Sequence, residues 1–520
     1  MRVTHATALT VALALALAAS AGAQPNVVLI VTDDQRWDTI RYMPTVQREL
    51  VGRGVLFENA FAVNPLCCPS RASILTGLYS HSNGVWSNSG PHGGMRVFDD
   101  RSTLPVWLDD VGYETMLIGK YINGYTPSNV SQTYVPPGWN RWRAFYGAPG
   151  YFTYRLSDGT AVRAYGPDPA EYSTDVFAAE ATRFVRESPS PFFLYLAPFA
   201  PHQSAPFTVD PAPRHVDAFA GRPYTQRPSV NERNVNDKPA RIRRRGFIAR
   251  ARLTELREEQ LETLLAVDEA IAAILTALEE TGKLDETLIV FTSDNGYSWG
   301  EHRWAGKRVP YEESIRVPLV IRHDGVTMPG RVESRLALNV DLAPTIAHAA
   351  GVRPRGRDGR SLLPLLAGSD SRWRSRFLIE YYDPPFLQAY CGLREQRWKY
   401  VQHSTGEEEL YDLRTDRYER QSLHRRNVLT SRLMSFRGRV RRSACRPPGF
   451  RPLARCTLSG TARADRLVGT SREDWICAGA GNDRIRVGGG NRDVVFCGRG
   501  KDRVQADRLD RLKSCEIVTR

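Results

Sequence analysis

At 520 residues the chain is too long for one small domain and long enough to bury a large core, so two or three units are expected. Its formal net charge of +14 comes almost entirely from arginine, because lysine occurs only at positions 120, 238, 283, 307, 399, 501 and 513, and a surface of that sign favours anionic partners. No recognisable nucleic-acid fold accompanies the charge, which argues against nucleic acid, and no run past the leader approaches the ~20 apolar residues of a membrane span.

The chain opens with Arg2, an apolar run from Ala8 to Ala19 and the small residues Ala21-Gly22-Ala23. Residues 1–23 therefore read as a cleaved signal peptide, with the mature chain secreted, extracellular, periplasmic or held at the cell surface. Asn26-Val-Val-Leu-Ile-Val31 then reads as a strand buried on both faces of a parallel sheet, running directly into Asp33 and Asp34. Adjacent carboxylates repel unless a cation lies between them, so the pair reads as half of a metal site; an Asp-Asp turn or helix cap is the plainer alternative.

Residues 64–77 contain Cys67-Cys68-Pro69-Ser70-Arg71, then a short apolar run of one or two helical turns ending at Thr76-Gly77. On its own, a Cys-Cys pair before proline suits a disulfide turn as well as it suits catalysis, and eight cysteines in an exported chain ordinarily mean four bridges. Tyr113 to Tyr121 is a further strand, ending at Lys120, and Pro191 to Phe199 is another, leading to His202. The stretch Thr254 to Glu280 has Leu261, Leu264, Leu265, Val267 and Ile271 at helical spacing, behind a basic lead-in, Arg241 to Arg245, that reads as an exposed loop.

Thr287 to Thr292 repeats the design of the first strand and leads into Ser293-Asp294-Asn295-Gly296; Lys307 follows, after His302. The carboxylates of Asp33, Asp34 and Asp294 with the amide oxygen of Asn295 form a hard, all-oxygen donor set that suits Ca²⁺, with Mg²⁺ second, and not the His and Cys set of zinc. Alternating strands and helices across residues 24–350 argue for one α/β domain with a mainly parallel sheet. Between 376 and 420 the pattern changes to short alternating strands, at Arg376 to Tyr382, Arg397 to Val401 and Glu409 to Leu413. From Gly460 a nine-residue period appears, with Asp465, Asp474, Asp483, Asp493 and Asp502 spaced by 9, 9, 10 and 9, each followed two positions on by an aliphatic residue.

Cys67-Cys68-Pro69-Ser70-Arg71 with its trailing Thr76-Gly77 resembles the signature of the formylglycine-dependent sulfatases, and the likeness extends over residues 25–425. It implies an alkaline-phosphatase-like sandwich in residues 24–375 and a small antiparallel C-terminal subdomain in 376–440. In that family the cysteine matching Cys67 is oxidised during synthesis by a formylglycine-generating enzyme to 3-oxoalanine (formylglycine), whose hydrate is the nucleophile. The resemblance also implies a calcium held by Asp33, Asp34, residue 67, Asp294 and Asn295. Arg71, Lys120 and Lys307 would stabilise the sulfuryl group, and His202 would protonate the leaving oxygen.

Gly119-Lys120-Tyr121 and Val135-Pro-Pro-Gly-Trp139 resemble the branch of N-acetylglucosamine-6-sulfatases and heparan endosulfatases, which implies a sulfated carbohydrate substrate of the glycosaminoglycan class. One departure stands out: many sulfatases carry histidine where this chain has Ile122, leaving His302 and His81 as unranked substitutes. Residues 456–520 resemble the hemolysin-type (RTX) Gly-Gly-x-Gly-x-Asp repeat that winds a β-roll around calcium, which implies extra Ca²⁺ in the 460–505 repeats. Several of the pattern's glycines are missing, and Cys456, Cys477, Cys497 and Cys515 could staple the module instead. Two other readings stand beside the sulfatase one: a phosphonate or phosphate monoester hydrolase of the same superfamily, and an inactive calcium-dependent glycan or cell-surface binding protein.

Overall fold

The computed structural model describes residues 24–519 except 205–207, 224–225, 356–357, 370–371, 385, 427–428, 452–455, 472–473 and 490–491. The signal-peptide expectation, on residues 1–23, lies outside the described residues. Among these residues the largest sheet has ten strands, in the order Arg331–Glu333, Val55–Phe57, Leu319–His323, Thr287–Ser293, Asn26–Thr32, Phe192–Ala197, Glu114–Gly119, Arg141–Phe145, Arg155–Ser157 and Val162–Ala164. Its centre is parallel: Asn26–Thr32 lies between Thr287–Ser293 and Phe192–Ala197, and Glu114–Gly119 continues beyond. The antiparallel pairings lie on either side of that centre.

Side chains alternate across a strand, so the first strand feeds two cores. Val27, Leu29 and Val31 pack on one face with Leu75, Leu104, Trp107 and Ile346. Val28 and Ile30 pack on the other with Phe177, Phe184, Leu264, Val267 and Ile271. Both faces being covered explains why these strands are unbroken apolar runs. The long helix is Arg250–Glu280, starting before the expected Thr254, and Leu265 on it is only partly buried. Its basic lead-in is not wholly a loop: Ala240–Arg243 makes a helical turn, because Ile242 is apolar enough to bury at 2 % exposure.

A second sheet of four antiparallel strands, Arg376–Asp383, Leu387–Glu395, Trp398–His403 and Glu408–Asp412, leans on the first unit through Phe377, Ile379 and Tyr390, which meet Phe61, Val63, Tyr311 and Ile315. Its other face is covered by the helix Thr430–Arg442 through Leu433, Phe436 and Val440, and a disulfide joins Cys391 to Cys445.

The tail is a two-sided parallel roll. One sheet holds Leu458–Ser459, Trp475–Cys477, Val494–Phe496 and Arg511–Lys513; the other holds Arg466–Val468, Arg484–Arg486, Arg503–Gln505 and Ile517–Thr519. Ile476, Ile485, Val495 and Val504 fill the space between them, which is the job the nine-residue spacing of aliphatics implies. Disulfides Cys456–Cys477 and Cys497–Cys515 close it, so the four tail cysteines do act as staples. The Arg437 guanidinium sits over the Phe496 ring, 5.4 Å from its centroid, tying the first sheet of the roll to the 430–442 helix.

Candidate active site

Two neighbouring strands deliver the acidic residues. Thr32 pairs with Ser293 at the ends of the parallel strands, so Asp33 and Asp34 emerge beside Asp294 and Asn295, at the carboxyl edge where open α/β sheets hold their ligands. Asp34 has φ of 70°, and this turn brings its backbone N–H to Asp294 Oδ1 at 3.1 Å. Asn295 Nδ2 donates to Asp34 Oδ1 at 2.6 Å, while Asn295 Oδ1 is buried with no partner.

Cys67 starts the helix Cys67–Thr76, whose ten residues are all buried. The helix ends at Gly77 with φ of 69°, where a Cβ would come within 3.1 Å of Pro344 Cδ. Cys67 Sγ lies 3.5 Å from Asp33 Oδ1 and 2.7 Å from Lys307 Nζ. Burial, with Asp33 beside it, pushes the thiol up to about 12. Cys68 is the other free cysteine; it points into the core among Ala72, Val85 and Tyr121, and its backbone N–H donates to Asn88 Oδ1 at 2.9 Å.

One turn along the helix, Arg71 Nε donates to Asp294 Oδ2 at 2.9 Å and its Nη1 to the Lys120 carbonyl at 2.9 Å. Lys120 follows Gly119, where φ is 103° and a Cβ would collide with the Ala197 carbonyl at 2.1 Å; its Nζ bonds Asp33 Oδ2. Lys307 Nζ holds both carboxylate oxygens of Asp34, at 2.6 and 2.9 Å. His202 Nδ1 meets the Gln203 carbonyl at 2.6 Å, which leaves Nε2 toward the cluster, 3.6 Å from Asp34 Oδ2.

Charge is the organising quantity. Burial alone would raise Asp33, yet Lys120, His202, Arg71 and Lys307 hold it well below the usual carboxylate range. Asp294 goes the other way, up to about 6, through burial and then repulsion from Asp33. Burial would lower Lys307, but the Asp34 charge more than offsets it and the ammonium persists. Desolvation and then the Lys307 charge push His202 down to about 4, although 26 % of its side chain is exposed.

The residues singled out in the sequence thus converge: Asp33, Asp34, Cys67, Asp294, Asn295, Arg71, Lys120, His202 and Lys307 meet at one edge of the sheet. A cation fits the donors present, because an unpartnered buried amide oxygen lies among three buried carboxylates. One donor atom each from Asp33, Asp34, Cys67 and His202 falls within a 4.8 Å span, so His202 stands closer to the metal donors than its expected role as an acid suggested. His302 does not join them. It is fully buried, with Nδ1 2.7 Å from Glu232 and its ring 4.1 Å from Tyr311. His81 instead pairs with Glu380 of the second sheet at 2.5 Å.

Sequence reasoning missed the support behind the cluster. Ser70 Oγ bonds the Asp294 carbonyl and accepts from Asn339 Nδ2 at 2.8 Å, a contact across 269 positions that no local signal marks. It also missed Arg308, whose Nε reaches Asp383 Oδ2 at 3.0 Å.

In the roll, the aspartates form a ladder: Asp465, Asp474, Asp483 and Asp493 each donate a backbone N–H to Oδ1 of the aspartate one coil on, at 2.7 to 3.0 Å. Their second oxygens differ. Thr461 and Thr470 bond Asp465 Oδ2 and Asp474 Oδ2 through N–H and hydroxyl, whereas Oδ2 of Asp483, Asp493 and Asp502 is buried without a partner.

Comparison with known proteins gives three matching family profiles. "Sulfatase" covers residues 25–352, "N-sulphoglucosamine sulphohydrolase, C-terminal" covers 300–443, and "RTX calcium-binding nonapeptide repeat (4 copies)" covers 459–494. The chain is 33% identical over 474 residues to an arylsulfatase of Volvox carteri, covering 77% of this chain and 71% of that one. It is 35% identical over 385 residues to the human N-acetylglucosamine-6-sulfatase, covering 69% and 67%. It spans only 33% of the length of a Drosophila melanogaster extracellular sulfatase homolog that it also matches.

Among solved structures, one described as bound to its substrate D-glucosamine-2-N,6-O-disulfate superposes with a TM-score of 0.70 at 25% identity, over 80% of this chain and 97% of that one. The phosphonate monoester hydrolase of Agrobacterium radiobacter superposes with a TM-score of 0.65 at 25% identity, over 80% and 94%.

Proposed function

The chain belongs to the sulfatase family of sulfuric ester hydrolases, and from that premise we propose that it is an exported enzyme cleaving sulfate monoesters on a glycan of the 6-O-sulfated glucosamine type. The observation that carries this reading is the convergence of Lys120, Lys307, Arg71 and His202 on Cys67 beside three buried carboxylates. When present, formylglycine at residue 67 supplies a hydrated aldehyde as nucleophile, and Ca²⁺ on Asp33, Asp34, Asp294 and Asn295 supplies charge for the sulfuryl oxygens.

The chain's own residues do the rest. The Lys120 and Lys307 ammonium groups face residue 67 and stabilise negative charge spreading over the sulfuryl oxygens. Arg71 holds Asp294 and the Lys120 backbone, which fixes the cluster's geometry. Because Nδ1 of His202 is engaged by Gln203, the proton passed to the leaving alcohol sits on Nε2; an arriving sulfate anion favours that protonated form. Three carboxylates are balanced by Lys120, Lys307 and Arg71, so an added divalent cation leaves the pocket positive and suited to an anionic ester.

Residues 24–375 form the catalytic unit in this reading, 376–440 its subdomain and 456–520 the repeat module, with further Ca²⁺ at the open oxygens of Asp483, Asp493 and Asp502. Export is supported by the leader pattern and by three disulfides. The glucosamine assignment is supported by the human relative's name and by the substrate-bound structure. The test is a rate panel on protein co-produced with a formylglycine-generating enzyme, using an aryl sulfate, the matching aryl phosphate and phosphonate, and N-acetylglucosamine 6-sulfate. Faster turnover of the sulfate and release from the 6-sulfate support the proposal; faster phosphate or phosphonate turnover replaces it with the hydrolase class of the Agrobacterium protein.

A further inference from the structure

The two sheets of the roll present opposite chemistry. In the sheet joined to the catalytic unit, the residues flanking the inward aliphatics of the two middle strands are apolar, Trp475 and Cys477 and then Val494 and Phe496, and only the last strand is basic there, with Arg511 and Lys513. In the other sheet four of the corresponding positions, on three successive strands, are arginine. Arg466 pairs with Arg484 and Arg484 with Arg503, while Arg486 stands between Val468 and Gln505. Sides alternate every nine residues, so a general excess of arginine would have loaded both sheets alike; four of these arginines instead fall on one sheet, against Arg511 alone on the other.

Adjacent strands lie about 4.8 Å apart, which stacks three guanidinium-bearing residues in register along one row. Like charges on neighbouring strands repel. Relief from within the protein is absent: among the described residues no carboxylate pairs with Arg466, Arg484, Arg486 or Arg503, and all four are exposed. The aspartates one position before three of them are turned inward, with Asp483 and Asp502 fully buried and accepting from the backbone N–H of the preceding coil. The four side chains border a shallow cavity of about 590 Å³ that runs across the strands. Val468 and Ile517, 53% and 42% exposed, lie on the same face.

We propose that this face binds a sulfated polysaccharide chain, holding the polymer outside the Cys67 cluster while its sulfate esters are cleaved there. Guanidinium groups pair bidentately with sulfate oxygens as they do with phosphate and carboxylate. A row of them at strand spacing meets a polyanion at several points at once, and the exposed aliphatics suit the apolar faces of sugar rings. The choice of a sulfated glycan over other polyanions rests on the proposed substrate of the catalytic unit.

The test uses the full-length protein carrying Arg466→Ser, Arg484→Ser, Arg486→Ser and Arg503→Ser, with a control lacking four exposed arginines elsewhere (Arg48→Ser, Arg53→Ser, Arg101→Ser and Arg163→Ser). Binding to heparin is measured across salt concentrations. The roll variant is expected to lose about 2 to 3 from the slope of log Kobs against log salt, with hydrolysis of a small aryl sulfate unchanged, while the control keeps its slope. Equal losses in both variants mean diffuse charge and overturn the proposal. So does an unchanged slope in the roll variant, or tighter binding of the native protein to duplex DNA than to heparin. Should the fourfold variant misfold, Arg484→Glu at the middle of the row is expected to weaken heparin binding by itself, and unaltered binding counts against the face. Heparin binding requires no turnover, so a protein that binds through this face but hydrolyses no sulfate sinks the proposed function and leaves this inference standing.

Discussion

Two clusters of buried aspartates, one at the sheet edge and one in the roll, are treated differently. At the sheet edge, Asp33 and Asp34 are held by lysine ammonium groups and Asp294 by Arg71. In the roll, Asp483, Asp493 and Asp502 have one oxygen on a backbone N–H and the other on nothing. The first cluster carries its own counter-charge on three side chains and leaves one neutral oxygen, Asn295 Oδ1, open. The second leaves a buried oxygen on each aspartate open to a cation, a proton or a water. The first coil of the roll, where Thr461 and Thr470 close that gap, lies between these extremes. Side-chain cations therefore suit a site that must keep its shape between substrates, and backbone ladders suit a scaffold that can tighten on a metal.

The largest expected effect is at the catalytic edge. Cys67→Ala should lower sulfate ester hydrolysis by about 10⁴-fold or more while leaving the thermal midpoint near that of the native protein; residual activity near the native level would remove Cys67 from the chemistry. Next, Lys307→Ala should cost about 10² to 10³ in kcat. It also strips the counter-charge from buried Asp34, so the gap in thermal midpoint between calcium-loaded and chelated protein should widen. An unchanged gap would break the contrast drawn here.

The roll should answer in stability and hardly at all in activity. Asp483→Asn, Asp493→Asn and Asp502→Asn together keep an acceptor for each ladder N–H and remove the charge, so differential scanning calorimetry should show the calcium-dependent rise of the roll's transition disappear. A rise that survives the triple substitution would place the metal elsewhere. Smallest is the pair Thr461→Ala and Thr470→Ala, expected to cost no more than about 1 kcal/mol each and to make the first coil's amide protection newly sensitive to calcium in hydrogen exchange.

Legibility in the sequence followed the length and purity of the local signal. The runs 26–31 and 287–292 are continuous and apolar because both faces are covered, and they brought their trailing carboxylates into view with them. The strand Leu387–Glu395 was not singled out: its apolar side includes the small Ala389 and Cys391, Tyr390 falls on the opposite side, and its burial comes from long-range pairing with Arg376–Asp383. The helix Thr430–Arg442 was likewise hidden, since Leu433, Phe436 and Val440 are spread among arginines. In the site, residues next to a motif were visible, but Ser70 with Asn339 and His81 with Glu380 are joined only by folding. The nine-residue period announced the roll, yet the row of Arg466, Arg484 and Arg503 on one sheet emerges only once alternate strands are placed on opposite sides.

The central claim is that residue 67, standing between Asp33 and Lys307, works as a formylglycine. Mass spectrometry of the peptide spanning positions 64–71, from protein made in its own host, tests this most directly. The expected peptide mass is lower than the cysteine form by the difference between thiol and aldehyde, with an aldehyde-reactive probe attached at residue 67. A native peptide carrying only unmodified Cys67, or Cys67 in a disulfide, would contradict it.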